Sequence, residues 1–256
     1  MNNLKIGIIG GSGMEDTQLI DSFKSKNITT SFGEPSSQLI TGYIQNVPVN
    51  FISRHGVDHS ISPSNVNYRA NISCLKNEGC THIIALTACG SLREKIQPGH
   101  FIFPDQFIDQ TSKRKNTFFD ADNVKHTSMG IPFSLDLRNC LIESCNLLGF
   151  DFHSSGTLIT IEGPRFSTKA ESLMFRSWGC DIINMSTVPE IILARELDMQ
   201  YQSIGMVTDY DCWRENEEEV SMDKIYEVMA NNVNNVKELI KDVIFRINRY
   251  YKGKNK

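Results

Sequence analysis

Short apolar runs alternate with amphipathic segments along most of the chain. Runs rich in apolar and β-branched residues predict strands at 4–9, 38–44, 49–53, 82–86, 100–104, 157–161, 181–185 and 201–207. Apolar residues at helical spacing, bounded by capping residues or glycines, predict helices at 66–78, 134–149, 168–178 and 221–250. This alternation is typical of a β-sheet covered by helices on its faces, so we expect an α/β protein.

The domain organisation is predicted to be simple. The sequence contains no repeat, no low-complexity linker and no shift in composition that marks a boundary, so residues 1–250 are expected to form a single domain. The remaining segment, 251–256, is expected to be a disordered tail. Two charged segments are interpreted as loops: "KRKNTF" (113–118) as a basic surface loop and "RENEEE" (214–219) as an acidic, mobile loop.

Composition narrows the classes of partner. With 256 residues, of which 40% are hydrophobic, the chain can bury an ordinary core. A net charge of -4, from 26 basic and 30 acidic residues, disfavours nucleic acid and membrane surfaces as partners. The N-terminal apolar run is too short for a signal peptide, and no window approaches a membrane span. Seven scattered cysteines without a CxxC pair suggest neither disulfides nor zinc, so a reducing, cytoplasmic location is expected.

The first candidate binding segment is the glycine-rich turn "GIIGGSG", Gly7 to Gly13. After a buried strand, such a turn can direct backbone N–H groups at an anion, and Ser12 adds a hydroxyl donor. The turn lacks the third glycine of a dinucleotide fingerprint and the lysine of a P-loop. A tight turn without a ligand is the alternative.

A second candidate is "SRHGVDHS", which follows a predicted strand. The planar guanidinium of Arg54 suits phosphate, and the imidazole of His55 can donate a further hydrogen bond. His55 and His59 have the spacing of a metal pair, but Gly56 interrupts the helix that such a pair requires, so metal binding is disfavoured. A surface ion pair is the alternative interpretation for the arginine.

The third candidate, "ALTACGSL", is again a buried strand that leads into small and hydroxyl-bearing residues. The Thr87 hydroxyl and the Ala88 amide can contact a ligand, and Gly90 permits close approach of the backbone. Cys89 is interpreted as a small buried side chain rather than a nucleophile, because the sequence specifies no histidine partner for it.

Two further segments, "TIEGPRFST" and "INMST", also follow predicted strands. They present the aromatic ring of Phe166, the thioether of Met185 and the hydroxyls of Ser167 and Ser186 near strand ends, where ligands collect in α/β sheets. Helix capping is the alternative role for the two serines.

The segment "TDYDCW" places Asp209 and Asp211 directly after an apolar run. From the residues alone, the two carboxylates could be acid/base catalysts, metal ligands, readers of a substrate edge or parts of a solvated loop.

These motifs, together with "NYRANI", "EGCTH" and "IQPG", resemble in order and spacing the 5′-methylthioadenosine phosphorylases of the trimeric purine nucleoside phosphorylase superfamily. The resemblance extends from Lys5 to about Val220. It implies an open mixed β-sheet flanked by helices, a homotrimer, and a pentosyltransferase of purine and methionine salvage. The reaction implied is phosphorolysis of 5′-methylthioadenosine to adenine and 5-methylthioribose 1-phosphate. Inorganic phosphate would be the co-substrate, with no metal or organic cofactor.

The resemblance also implies roles for individual residues. The positions that match the phosphate site are Ser12, Arg54, His55, Thr87, Ala88 and Ser186. Positions that match the nucleoside site are Phe166 at the base, Met185 along the ribose, Asp209 and Asp211 as base readers, and Met222 near the 5′ group, with Ser167 as a further substrate-binding residue. His126 resembles a histidine that a neighbouring subunit contributes near the 5′ group.

The two aspartates can divide the recognition of adenine between them. Residues i and i+2 at a strand end face the same way, so both carboxylates can address the N6/N7 edge of the base. We hypothesise that protonated Asp209 donates to N7 as the general acid, while ionised Asp211 accepts from the N6 amine. A 6-oxopurine would then be rejected, because it presents an acceptor to Asp211.

Several alternative functions remain open from the sequence. Met222 stands where a smaller apolar residue is common, so a nucleoside phosphorylase acting on adenosine or inosine is the first alternative. A hydrolytic nucleosidase, a dinucleotide-binding oxidoreductase, a non-catalytic nucleotide-binding module and a metal hydrolase are more remote.

Overall fold

The strands follow the sequence prediction in most places. The structure, a computed structural model, describes residues 4–11, 19–120, 123–215 and 220–254. Its strands are β1 (Ile6–Gly10), β2 (Asp21–Lys26), β3 (Leu39–Ile44), β4 (Val47–Ser53), β5 (His82–Ser91), β6 (Phe101–Ile102), β7 (Gln106–Gln110), β8 (Phe152–His153), β9 (Thr157–Ile161), β10 (Ile182–Asn184) and β11 (Gln200–Asp209).

Strand β5 is the centre of the sheet. It pairs in parallel with β1 and, along most of its length, with β11, whereas its last residues pair antiparallel with β10. The sheet continues from β1 through β4 and β3 to β2, and from β10 through β9 to β7, while β6 and β8 extend it beyond β11. The open mixed sheet that the resemblance implies is confirmed.

Helices cover both faces of the sheet. They are α1 (Tyr68–Asn77), α2 (Leu135–Leu148), α3 (Lys169–Ser177), α4 (Thr187–Glu196) and α5 (Met222–Lys254). Alternate residues of β5 point to opposite faces. Ile83 and Ala85 pack in one cluster with α1 and α4, and Ile84 and Leu86 pack in another with α2 and α5. The domain therefore has three layers, with apolar residues buried on both sides of the central strands.

Capping explains why several helices begin where the sequence predicts. The side chain of Asn67 accepts from the Ala70 N–H at the start of α1, and Ser134 accepts from the Leu137 N–H at the start of α2. Helix α3 starts with a full capping box between Thr168 and Glu171. These bonds satisfy N–H groups that have no partner within the helix.

Helix α4 and strand β2 lack the alternation of apolar and polar residues by which helices and strands are usually recognised in a sequence. Helix α4 is buried on almost every side, so it lacks the polar face that reveals an amphipathic helix. Strand β2 has the opposite character, because all six of its residues, "DSFKSK", are exposed and it pairs at the edge of the sheet.

Two predictions, one about segment 113–118 and one about the C-terminal tail, need correction. Segment 113–118 is not simply a surface loop, because the side chain of Arg114 is 1% exposed and bonded on several sides. Helix α5 continues to Lys254, since the hydroxyls of Tyr250 and Tyr251 donate to Asp136 and hold its last turns against α2. Residues 251–254 are therefore helical rather than disordered, and 255–256 lie outside the described residues.

The acidic segment 214–219 lies mostly outside the described residues, which end at Glu215 and resume at Val220. Within the described parts of the chain, no helix combines the length and the apolar character needed to cross a membrane.

Candidate active site

A cavity of about 440 Å³ opens where the ends of β1, β4, β5, β10 and β11 meet. It is lined by nearly all of the site residues that the sequence predicts: Arg54, His55, Thr87, Ala88, Phe166, Ser167, Met185, Ser186, Asp209, Asp211 and Met222. Ser12 lies outside the described residues, although its neighbour Gly11 lines the cavity beside Arg54. His126 is exposed and lies away from this cavity.

Arg54 is held by a buried ion pair. Its Nε–H and one Nη2–H donate to the carboxylate of Glu190 at 2.5 and 3.0 Å, and Nη1 donates to the Leu86 carbonyl at 2.8 Å. The side chains are 1% and 0% exposed, and the Tyr201 hydroxyl also donates to Glu190. Burial alone lowers the pKa of Arg54, but Glu190 outweighs it and leaves the pKa above its usual value. The arginine is thus not the surface ion pair considered above.

Arg54 retains hydrogen-bonding capacity toward the cavity. A guanidinium has five N–H donors, and three of these are used on Glu190 and Leu86. One donor on each Nη therefore makes no bond to another described residue. These two donors can take an anion.

His55 uses its one N–H on the backbone, so its second ring nitrogen is an acceptor rather than the expected donor. A carbonyl oxygen can only accept, so the contact of 2.9 Å between His55 Nδ1 and the Ile61 oxygen requires the proton on Nδ1. Burial, followed by the charge of Arg54, lowers the pKa of His55 to about 4. At neutral pH its Nε2 consequently carries a lone pair.

The two hydroxyls of the anion side, those of Thr87 and Ser186, contact each other, and Asn184 holds the first of them. Thr87 Oγ1 and Ser186 Oγ lie 2.9 Å apart. The amide of Asn184 donates to Thr87 at 3.1 Å and to Thr187 at 2.7 Å, and its oxygen accepts from Thr160. Ser186 precedes α4 but makes no side-chain capping bond, so helix capping is not its role.

Ser167 is likewise not a helix cap, because Thr168 performs that function for α3. Its hydroxyl instead faces Asp211, with Ser167 Oγ 2.7 and 2.8 Å from the two carboxylate oxygens. This contact joins the segment that carries Phe166 to the segment that carries the aspartates.

Asp209 is held by two donors within its own segment. The Asp211 N–H donates to Oδ1 at 2.7 Å, and the Thr208 hydroxyl donates to Oδ2 at 2.7 Å. Gly90 leaves room for the carboxylate, since a Cβ at that position would lie 2.9 Å from Asp209 Oδ1. Burial raises the pKa of Asp209 despite the opposing effect of these hydrogen bonds.

Both aspartates line the cavity, although they do not both belong to a strand. Strand β11 ends at Asp209, and Asp211 lies in the following turn with φ of 51°, in the left-handed region. Asparagine and aspartate tolerate this conformation better than most residues. The turn, rather than the two-residue period of a strand, brings Asp211 to the cavity.

Trp213 anchors this turn. Its indole N–H donates to the Ser91 carbonyl at 2.8 Å, and the guanidinium of Arg176 lies 3.4 Å from the centre of its ring. Arg176 belongs to α3, which follows Ser167. Trp213 therefore connects the turn that carries Asp211 to the helix that follows Ser167.

Two alternative chemistries find little support in the geometry. Burial raises the pKa of the Cys89 thiol well above its usual value, so this side chain is a poor nucleophile. The rings of His55 and His59 pack at 4.5 Å between centres, and the described residues contain no cluster of three or more metal-ligating side chains.

Comparison with known proteins places these features in one family. The family model of the phosphorylase superfamily matches residues 5–244. The S-methyl-5′-thioadenosine phosphorylase of Xenopus tropicalis is 52% identical over 250 residues, which cover 95% of this chain and 89% of that protein.

The chain belongs to the S-methyl-5′-thioadenosine phosphorylase family.

Other members of this family agree. The Danio rerio protein of the same name is 49% identical, and the match covers 96% of this chain and 90% of the relative. A solved structure of methylthioadenosine phosphorylase from Schistosoma mansoni in complex with adenine superposes with a TM-score of 0.93 at 40% identity, covering 96% of this chain and 92% of the other. The fold that the resemblance implies is therefore that of a solved phosphorylase.

Glu190, the partner of Arg54 in this phosphorylase, is not among the site residues that the sequence predicts. A signal was present, because Glu190 stands beside the apolar run "IIL" in a helix, and a charge that is buried needs a partner. Arg114 is also absent from that prediction, because three consecutive basic residues normally indicate a solvated loop.

Proposed function

We propose that this chain catalyses the phosphorolysis of 5′-methylthioadenosine, releasing adenine and 5-methylthioribose 1-phosphate. One observation carries the proposal: a single cavity combines a buried arginine beside two hydroxyls with a mostly buried pair of carboxylates. The first group suits an anion, and the second suits the N6/N7 edge of adenine. The family and the names of its members support the same reaction.

Phosphate is proposed to bind at Arg54, Thr87 and Ser186. The two remaining Arg54 donors and the hydroxyl pair can hold the phosphate oxygens, with Ser12 and the Ala88 amide as further donors. Neutral His55 can accept from the hydroxyl of hydrogen phosphate through Nε2. A phosphate oxygen then attacks the anomeric carbon as the bond to N9 breaks, and its negative charge stabilises the positive charge that develops on the ribose.

The base is proposed to leave as neutral adenine. The electrons of the broken bond enter the purine ring, and Asp209 transfers its proton to N7. Asp211, held by Ser167, accepts from the N6 amine. Phe166 packs on the base and Met185 lies along the ribose.

The 5′ group is proposed to lie against Val220, Met222 and Ile225, apolar residues that line the same cavity. This wall suits a methylthio group. Phosphorolysis of adenosine is a second candidate, because the polar side chains of His59 and Tyr226 also line the cavity and suit a 5′-hydroxyl. A solved relative from Schistosoma mansoni is named an adenosine/methylthioadenosine phosphorylase.

The assembly is proposed to be a homotrimer in which residues 1–250 form the catalytic domain and His126 reaches a neighbour's 5′ site. The exposure of His126 supports this role. We further propose that the enzyme acts in purine and methionine salvage in the cytoplasm. Sedimentation of the purified chain tests the trimer, and a monomer that retains full activity would contradict it.

The activity is tested by incubating the chain with 5′-methylthioadenosine, adenosine or 5′-methylthioinosine, with and without phosphate. We expect base release from methylthioadenosine to exceed that from methylthioinosine and to require phosphate, with the sugar recovered as a 1-phosphate. Base release without phosphate would indicate hydrolysis. Binding without base release would indicate a nucleotide-binding module.

A further inference from the structure

Arg114 uses its whole hydrogen-bonding capacity inside the protein. Its five N–H donors have five acceptors: Glu162 Oε1 at 3.2 Å, the Tyr68 hydroxyl at 3.1 Å, and the carbonyls of Val188 at 2.5 Å, Ile161 at 3.3 Å and Glu162 at 2.8 Å. The guanidinium also lies 5.3 Å from the centre of the Tyr68 ring. A fully bonded arginine in a basic segment has a structural role that the sequence pattern hides.

The residues that Arg114 binds belong to three walls of the cavity. Ile161 lines the cavity itself. Tyr68 donates its hydroxyl to the carbonyl of Pro63, a lining residue, at 2.9 Å. Val188 follows Ser186 by two residues and has non-helical φ and ψ within α4.

Glu162 also connects the segment that follows Pro63 to the segment of Arg114. Its carboxylate accepts from the Ser64 hydroxyl at 2.6 Å and from the backbone N–H groups of Ser112 and Lys113 at 2.6 and 3.0 Å. Burial alone raises the pKa of Glu162, but these bonds and the one from Arg114 outweigh it and lower the pKa to about 2. Glu162 is therefore ionised throughout the physiological range.

The three walls are in direct contact. Gly163 has φ of 69°, and a Cβ placed there would lie 2.6 Å from Met185 Sδ and 3.4 Å from Pro63 Cγ. A shift in one wall is consequently transmitted to the others, because close-packed atoms leave no empty space into which a neighbour could move.

We infer that Arg114 is a positioning residue, which sets the phosphate and ribose side of the cavity by tying the segments of Pro63, Ile161 and Val188 together. This inference rests on the proposed phosphorolysis. Arg114 does not itself line the cavity. It acts mainly through Ser186 and Met185, on the segment that ends at its Val188 contact. Asp209 is held by Thr208 and by the Asp211 N–H, within a segment to which Arg114 makes no bond.

Geometry, rather than charge alone, is what the site requires of this residue. A lysine keeps the charge but has three donors on a flexible stem, whereas the five donors of arginine lie in one plane. Lysine at position 114 can therefore satisfy Glu162 without holding the three carbonyls and Tyr68.

The test compares Arg114→Met and Arg114→Lys with the wild type and with Lys115→Met, which removes a charge from an exposed neighbour. Phosphorolysis of methylthioadenosine is measured per folded molecule at varied phosphate, and calorimetry measures the affinity for phosphate and for adenine. We expect kcat/KM for phosphate to fall about 100-fold in Arg114→Met and nearly as far in Arg114→Lys. Adenine affinity should fall less than phosphate affinity, and the Lys115→Met variant should match the wild type.

Two results would overturn the inference: unchanged phosphate parameters in both Arg114 variants, or an equal loss of phosphate and adenine affinity, which indicates general disruption. If Arg114→Met does not fold, Tyr68→Phe decides, because it removes one acceptor and should raise the KM for phosphate alone. An unchanged KM in Tyr68→Phe would then reject the inference. If the wild type shows no phosphorolysis, the proposed function fails, and the calorimetric affinities still decide on Arg114.

Discussion

The two ends of the cavity neutralise charge in different ways. At the anion end, the buried cations have carboxylate partners: Arg54 pairs with Glu190, and Arg114 pairs with Glu162. At the base end, the aspartates are held by neutral donors, and neither forms an ion pair with a lysine, arginine or histidine in the described part of the chain.

The contrast explains how one cavity can bind an anion at one end and transfer a proton at the other. A compensated arginine keeps its charge and its geometry before phosphate arrives, so little reorganisation is needed during the reaction. A mostly buried carboxylate without a cation tends to hold a proton, since burial disfavours the charged form. The anion end is built to remain charged, and the base end is built to transfer a proton.

Asp209→Asn tests the base end with the largest expected effect. The amide keeps the shape but cannot transfer a proton, so kcat for methylthioadenosine should fall by about 10²–10⁴. Asp211→Asn should instead reduce the preference for 6-amino over 6-oxo nucleosides. Steady-state phosphorolysis of methylthioadenosine and methylthioinosine measures both, and unchanged rates on both substrates in Asp209→Asn would refute its role.

Glu190→Gln breaks the compensation at the anion end. It leaves the buried charge of Arg54 without its partner, so the free energy of unfolding should fall by about 3–5 kcal/mol. Phosphate should restore part of the loss and raise the melting temperature more than in the wild type, because it supplies a negative charge. Thermal melts at several phosphate concentrations measure this.

Glu143→Gln is the matched control, because its ion pair with Arg246 lies at the surface with Glu143 65% exposed. Its loss should cost about 1 kcal/mol or less. Equal destabilisation in the two variants would remove the distinction between the buried and the exposed pair.

Ser167→Ala tests whether neutral donors hold the base end. It removes a hydrogen bond to a carboxylate, worth about 1.5–3 kcal/mol, so the KM for the nucleoside should rise about tenfold or more while the KM for phosphate is unchanged. Ser177→Ala, which loses an exposed bond to the Met174 carbonyl at the other end of α3, is the control. A rise in the KM for phosphate alone would contradict the assignment.

Met222→Val should give the smallest change. Shortening this apolar side chain removes contact with the methylthio group, so the KM for methylthioadenosine should rise by about tenfold or less relative to that for adenosine. Competition between the two nucleosides in one reaction measures the ratio. An unchanged ratio would place the 5′ group elsewhere in the cavity.

The sequence predicts the central strands and the capped helices well because their signals are local. Ser134 and Thr168 mark helix starts through bonds to residues three positions further on. Helix α4 escapes prediction because tertiary burial on nearly every side erases its periodicity.

The candidate site is predicted less completely, because its support comes from distant residues. Motifs indicate which side chains line the cavity, but the partner of Arg54 lies 136 residues away in the chain. The bonds of Arg114 span 46 to 74 residues, so its burial leaves no mark on its own basic segment. Long-range pairing of this kind is a property of the folded chain and not of any local pattern.

The location of the proton on the aspartate pair is the central claim, and infrared difference spectroscopy tests it most directly. Spectra of the wild type, Asp209→Asn and Asp211→Asn are compared with adenine bound at neutral pH. We predict a protonated-carboxyl band in the wild type that disappears in Asp209→Asn, persists in Asp211→Asn and fades as the pH rises through the raised pKa of Asp209. A band that survives in Asp209→Asn and disappears in Asp211→Asn, or no band in the wild type, would contradict the account.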